Sequence, residues 1–289
     1  MRVSAIKQRP SVRIGGFLGK ATIRALTGLL LLCVVFPIAW MIACSLKTPA
    51  ELINQPVFHL PSGFYFRNYS NAWVKGKMNV FYKNSVITTF VSLIFTVGFS
   101  AMIGFALTKL RWRFSGLFKL LFSFGIVVPV QMVLIPLFIM YNQLKLVNSL
   151  WGLIITYTGF SLSLAIYLYS GYMQAIPNEI MEAAVIDGCS VYSLFTRILL
   201  PLSKNATVTV LVVSFFSKWN DLIFSQTFIS STSLKTIQTG LLYFTNEFGS
   251  TEWGPVFAAS TMAILPTIVV YSCLNKLVIE GMTAGAIKN

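Results

Sequence analysis

The chain of 289 residues is 56% hydrophobic and only 10% charged, and its twenty-two Lys and Arg against eight Asp and Glu give a net charge of +14. With a mean hydropathy of +0.75, this composition excludes an ordinary water-soluble domain, in which about a quarter of residues are charged. The aromatic residues sit in apolar runs rather than among the basic ones, so the charge reads as membrane-orientation charge and not as a nucleic-acid surface.

A hydrocarbon core of about 30 Å takes about 20 apolar residues in a helix. Six runs meet that length: residues 25–46, 85–107, 117–141, 150–173, 206–226 and 255–277. Each is expected to be helical, because backbone N–H and C=O groups in lipid have no water to bond. The expected fold class is therefore an all-α membrane protein of six transmembrane helices, with 25–277 as the membrane domain. Residues 1–24 form a basic N-terminal segment. The apolar run that follows is too long for a signal-peptide core, so it is expected to remain as the first span.

Short basic loops resist translocation. With the N-terminus inside, fourteen Lys and Arg lie on the cytoplasmic side and seven outside, and Lys218 lies within a span, which accounts for all twenty-two. Both termini are thus expected in the cytoplasm. The longer stretches at about 47–84 and 227–254 are then external, the stretch at about 174–205 is internal, and 278–289 is a cytoplasmic tail. Cys33, Cys44 and Cys273 lie in apolar runs without metal-type spacing, and His59 sits in a polar loop with no carboxylate or cysteine beside it. Neither a disulfide framework, a metal site nor histidine catalysis is expected.

Pro37, Pro129, Pro136 and Pro266 punctuate the spans, and each permits a kink. Gln131, between two of them in the third run, reads equally as a cavity-lining residue and as an interhelical hydrogen-bonding one.

The internal stretch is rich in helix punctuation. Pro177 suits a first helical turn, Glu179 and Glu182 complement the positive helix start, and Gly188 after Asp187 suits the left-handed position beyond a helix end. Ser190 then offers an N-cap to a second helix, whose apolar face is Val191, Leu194, Phe195, Ile198 and Leu199 before Pro201. Two short helices at a sharp glycine turn read as a docking knob for another protein or as a hairpin lying on lipid headgroups.

In the fifth run, Lys218 and Asp221 stand i, i+3 on one helical side, with Trp219 and Asn220 between them. A lone charge at that depth costs on the order of 3 kcal/mol. The two are expected to pair, to face a wet cavity or to snorkel outward. An ion pair that sets helix packing is one outcome. The other is that Trp219, Asn220 and Asp221 line a solute pathway, since an amide and a carboxylate serve hydroxyls and indole stacks on a sugar face.

The run Glu182-Ala183-Ala184, then Gly188, then Ile198-Leu199-Leu200-Pro201 resembles the EAA loop of permease subunits in bacterial ATP-binding-cassette importers. Trp219-Asn220-Asp221, Trp253-Gly254 and the terminal Glu280-Gly281-Met282-Thr283-Ala284-Gly285-Ala286-Ile287-Lys288 are similar to the smaller, maltose-permease-like subunit of the carbohydrate branch. The likeness covers about residues 25–289, with Cys189 and Asn205 as departures from the usual residues.

The resemblance implies a transport subunit without cofactor or catalytic residues, in the bacterial cytoplasmic (inner) membrane. It implies a second permease subunit as heterodimer partner, two cytoplasmic ATPase subunits, an extracytoplasmic sugar-binding protein, and membrane lipid. Coupling to the ATPases is then expected at Glu182, Ala183, Ala184, Asp187, Gly188, Ile198 and Pro201, and pathway lining at Gln131, Lys218, Trp219, Asn220 and Asp221. The chain agrees with that division, for it contains no G-x-x-x-x-G-K-[ST] phosphate loop. A membrane enzyme would need converging acids or bases that this sequence does not supply. A secondary transporter would need more intramembrane carboxylates than Asp221, and a permease for another solute, such as glycerol-phosphate, is the nearer alternative.

Overall fold

The structure, a computed structural model, describes residues 13–110, 112–247 and 252–286. All regular structure among these residues is helical. The N-terminal half holds α1 (Arg13–Ser45), the short α2 (Pro49–Asn54) and α3 (Arg67–Val74), α4 (Met78–Thr108), α5 (Ser115–Val127), α6 (Val130–Gln143) and α7 (Leu150–Gln174). Next come α8 (Asn178–Ile186) and a run made of α9 (Val191–Ser193), a π-helical turn (Leu194–Leu199) and α10 (Leu200–Leu202). The chain continues with α11 (Lys204–Trp219), α12 (Ile223–Phe228), a 3-10 turn, α13 (Ile237–Glu247) and α14 (Trp253–Ala286).

Four helices are long and apolar enough to cross a membrane, within α1, α4, α7 and α14, and six spans result if each of two bent pairs counts as one. Two expected runs are corrected. The third, 117–141, is not one helix: α5 and α6 meet at 102° across Val128 and Pro129. Pro129 has no N–H and pushes Val128 into an extended conformation, with ψ 115°, which ends the first helix. Pro37, Pro136 and Pro266 sit inside unbroken helices, so only one of the four prolines marks a break.

The fifth run, 206–226, also divides. α11 stops at Trp219 and α12 starts at Ile223, because the Asp221 carboxylate accepts from the Phe224 and Ser225 N–H groups (3.3 and 3.0 Å). A short acidic side chain offers the chain an alternative to the helical ladder. The N-terminal residues 1–12, Arg111, and Ile287 to Asn289 with the tail residue Lys288 lie outside the described residues.

α4 packs along α7, and the sequence shows why the two approach closely. Thr88, Ser92, Thr96 and Ser100 recur every fourth residue, all are buried, and each hydroxyl donates to the carbonyl four residues back, at 2.5–2.9 Å. The stripe is small and each hydroxyl proton is spent within the helix. It ends at Gly104, where a Cβ would lie 2.9 Å from that of Tyr169 on α7. Apolar clusters close both ends of the bundle: Phe81, Phe215, Trp219 and Ala259 at one, and Phe105, Tyr169, Leu194, Leu199 and Val210 at the other. α1 differs from these helices. It lies against α14, none of its apolar window is buried, and Leu29 to Leu32 are 60–65% exposed.

Candidate functional site

The stretch at about 174–205 folds as the hairpin its punctuation predicts. α8 ends on Asp187, whose N–H donates to Ala183 O (2.9 Å). Gly188 turns the chain with φ +79°, and the Cys189 N–H returns to Ala184 O (2.9 Å). This is a left-handed C-terminal cap, which glycine adopts without penalty. Ser190 Oγ then accepts from the Ser193 N–H (3.2 Å) and opens the second helix.

The second helix departs from the expected regular spacing through its π turn. Pro201 cannot donate to the carbonyl of Arg197 four residues earlier and its ring crowds that oxygen, so the frame widens just before it. Leu194 and Leu199 are buried, Phe195 and Ile198 half-buried, and Val191 exposed.

Of the seven residues expected at this site, Ala184 and Ile198 pack inward with Phe105, Tyr169 and Val210. Glu182, Ala183, Asp187, Gly188 and Pro201 are exposed. Beside them stand three large apolar side chains the sequence reading did not single out: Val185, Ile186 and Tyr192, at 61, 85 and 77% exposure. Their signal was available, since each lies next to the Asp-Gly turn on the side opposite the buried residues.

Lys109 was also missed. It follows the last residue of α4, and its Nζ donates to Ile176 O (2.6 Å) and Asn178 Oδ1 (3.0 Å), tying the end of α4 to the start of α8. Burial lowers the Lys109 ammonium from its ordinary range, and the nearby Glu179 charge opposes that shift.

The second region is a cavity of about 240 Å³ among α7, α11, α12 and the α5–α6 break. Tyr157, Ser161, Ser214, Ser217, Lys218 and Asp221 supply its polar wall, and Phe160 and Phe224 face them. Lys218, 4% exposed, donates from Nζ to Thr96 Oγ1 on the small stripe of α4 (2.9 Å). Asp221 accepts from the Tyr157 hydroxyl (2.8 Å) as well as from α12. The two charges therefore have separate partners and share a cavity, which corrects the expectation of an ion pair between them.

The other expected lining residues lie elsewhere. Trp219 is buried, donates from Nε1 to Ala263 O on α14 (3.1 Å) and stacks on Phe215. Asn220 is exposed and donates to Phe216 O (3.0 Å). Gln131 is exposed on α6, where its neighbour Val130 reaches the cavity wall. Tyr157 and Thr96 could not be found from sequence, because nothing local to them announces a partner more than 50 residues away.

Residues 97–283 match the family described as binding-protein-dependent transport system inner membrane component. The probable ABC transporter permease protein YurM of Bacillus subtilis is 29% identical over 283 residues, spanning 98% of this chain and 93% of the relative. The melibiose/raffinose/stachyose import permease protein MelC of the same organism is 30% identical over 254 residues, 87% of this chain and 91% of the relative. Among solved structures, a chain of a bacterial ABC transporter involved in the import of the acidic polysaccharide alginate superposes with a TM-score of 0.81. It covers 94% of this chain and 99% of that one at 24% identity, a likeness of fold.

Proposed function

The chain belongs to the family of binding-protein-dependent transport system inner membrane components, and from that premise we propose that it is the permease subunit of an ATP-driven importer of sugars or oligosaccharides. It crosses the bacterial cytoplasmic membrane six times with both termini inside, α5 and α6 together making the third span and α11 with α12 the fifth, while α9 and α10 stay on the cytoplasmic side. With a second, different permease it forms the pathway. Two ATPase subunits seat the α8–α10 hairpins, and an external binding protein delivers the cargo. The chain moves solute and performs no bond chemistry.

The observation that carries this reading is the hairpin itself. Glu182, Ala183 and Gly188 project beside the exposed Val185, Ile186 and Tyr192. Its inner face is locked into the bundle through Ala184, Leu194 and Leu199. Apolar side chains held rigidly at a polar rim suit burial by a protein partner. A carbohydrate cargo is favoured by the named cargo of the MelC relative and by a cavity whose phenol, hydroxyls, ammonium and carboxylate offer both donors and acceptors to sugar hydroxyls.

Deleting the gene and screening growth on a panel of oligosaccharides tests the cargo: loss of growth on one sugar, with uptake dependent on ATP, is expected. Reporter fusions test the topology. Ser190 is expected inside, and Arg67, Asn148 and Ser233 outside. Asn148 Nδ2 donates to Ser231 Oγ (2.7 Å), so reporters in those two loops must agree. An external Ser190 reporter would sink both the topology and the docking role.

A further inference from the structure

Where α1 ends and α14 begins lies a second, open cavity, of about 310 Å³, far in sequence from the hairpin and not shared with the Asp221 site. Trp40, Lys47, Glu51, Gln55, Trp253 and Phe257 line it. Lys47 is 2% exposed. Its Nζ makes one long hydrogen bond, to Val57 O at 3.3 Å, and lies 4.6 Å from the centroid of the Trp40 ring. An ammonium has three donors, so a charge taken almost wholly out of water is left with hydrogen-bonding capacity unused. Its backbone is fixed, because Asn68 Nδ2 donates to the carbonyls of Ser45 (2.9 Å) and Lys47 (2.8 Å).

The opposite charge in the same wall is equally fixed. Glu51 accepts from the Thr48 N–H (2.7 Å), Thr48 Oγ1 (3.0 Å), the Ser62 N–H (2.8 Å) and Ser62 Oγ. The cavity thus presents a held cation and a held anion between tryptophan walls. Its depth is set by the two helices, for it lies at the boundary where both apolar runs end, the level at which tryptophan collects in membrane proteins. Below it, Val35 and Phe36 on α1 and Leu265 and Val269 on α14 are about half exposed, an apolar surface for acyl chains.

We propose that this cavity binds the headgroup of a phosphatidylethanolamine molecule, its phosphate on Lys47 and its ammonium on Glu51. Charge complementarity selects that occupant. A purely anionic headgroup leaves Glu51 repelling it, and a trimethylated choline ammonium, bulkier than a primary one, cannot bring its charge as close to the carboxylate, whose own acceptor sites are filled by Thr48 and Ser62. The site ties the lipid to α1, none of whose apolar window is buried.

The test is native mass spectrometry of the assembled transporter in detergent, supplied with equal amounts of phosphatidylethanolamine, phosphatidylglycerol and phosphatidylcholine. Retention of the ethanolamine lipid about tenfold above the other two is expected, as for one good charged hydrogen bond. K47M should lose that preference and K47R keep it. W253A, at a half-exposed position that does not threaten folding, should weaken retention even if K47M fails to assemble. Equal retention of the three lipids, or an unaltered preference in both K47M and W253A, overturns the proposal. Displacement of the lipid by free phosphoethanolamine without acyl chains would overturn the lipid as occupant, and displacement by a maltooligosaccharide would identify an external sugar subsite instead.

Discussion

The hydroxyl of Tyr157, in the first third of α7, donates at 2.8 Å to Oδ2 of Asp221, which stands in the gap between α11 and α12. The carboxylate is thereby shared: one oxygen faces a neighbouring span, and both start α12 through the Phe224 and Ser225 N–H groups. Tyr157→Phe removes one charge-assisted bond and leaves the backbone bonds intact. Uptake is expected to fall roughly tenfold with assembly unchanged, measured as initial uptake rate per assembled complex. Because Lys218 is held by Thr96 instead, the losses from Lys218→Met and Asp221→Asn should multiply in the double variant. Recovery in that double variant would mean that the two charges act as an ion pair after all.

Gly188 has open space around its Cα, so substitution there is opposed only by its φ of +79°. The expected order of uptake is Gly188→Asn above Gly188→Ala above Gly188→Val. Asparagine tolerates the left-handed region, alanine pays about 1–2 kcal/mol, and a β-branched residue pays more. Membrane insertion should be equal in all three, and co-purification of the ATPase should fall in the same order. Equal uptake by the three would show that the turn does not position the docking surface.

Lys109 joins the end of α4 to the carbonyl of Ile176 and the side chain of Asn178. It is a positioning residue for the hairpin. Lys109→Met should leave ATP hydrolysis by the complex within about twofold of wild type while lowering the sugar moved per ATP, and Lys109→Arg should restore the ratio. A parallel fall in both activities would assign Lys109 to folding alone.

Glu51 carries a pH prediction for the segment between α1 and α3. Hydrogen bonds from Ser62 first, and then from Thr48, lower its carboxyl from 4.5 to about 2. A group depressed in the folded state stabilises above its unfolded value and loses that contribution as pH falls toward the folded one. Hydrogen exchange of Thr48 to Ser62 should therefore be flat from pH 7 to about 5, apart from the intrinsic exchange trend, and loosen as pH falls through the interval between 4.5 and 2. Glu51→Gln should exchange faster already at pH 7.

The parts of this structure written locally were legible in sequence. The α8 turn could be read because proline, acid and glycine act within a few residues of where they stand, and Gly188 does what its position implies. Pro129 was readable as an interruption, although a bend of 102° depends on what α5 and α6 each pack against. The fifth run misled because its hydropathy continues past Trp219, whereas the helix is ended by the competition of Asp221 for backbone N–H groups. Trp219 misled for another reason: an indole suits a sugar face and a helix interface equally, and only the carbonyl of Ala263, 44 residues on, decides. The partners of Lys218 and Asp221 lie 122 and 64 residues away, beyond any local pattern.

The break between α5 and α6 has a consequence for how such a chain can change. A helix that stops at Val127 leaves its last carbonyls without partners in the helix, and Pro129, having no N–H, cannot answer them. Gly125, Ile126, Val128 and Val130 all border the cavity that holds Asp221, so the helix end with its unanswered carbonyls stands at the wall of that cavity. Oxygens of that kind survive almost any codon change. If the cavity is part of the pathway proposed above, the side chains around it are free to diverge while the helix end stays in place, and a new cargo preference can be reached by single substitutions without passing through a sealed, waxy intermediate.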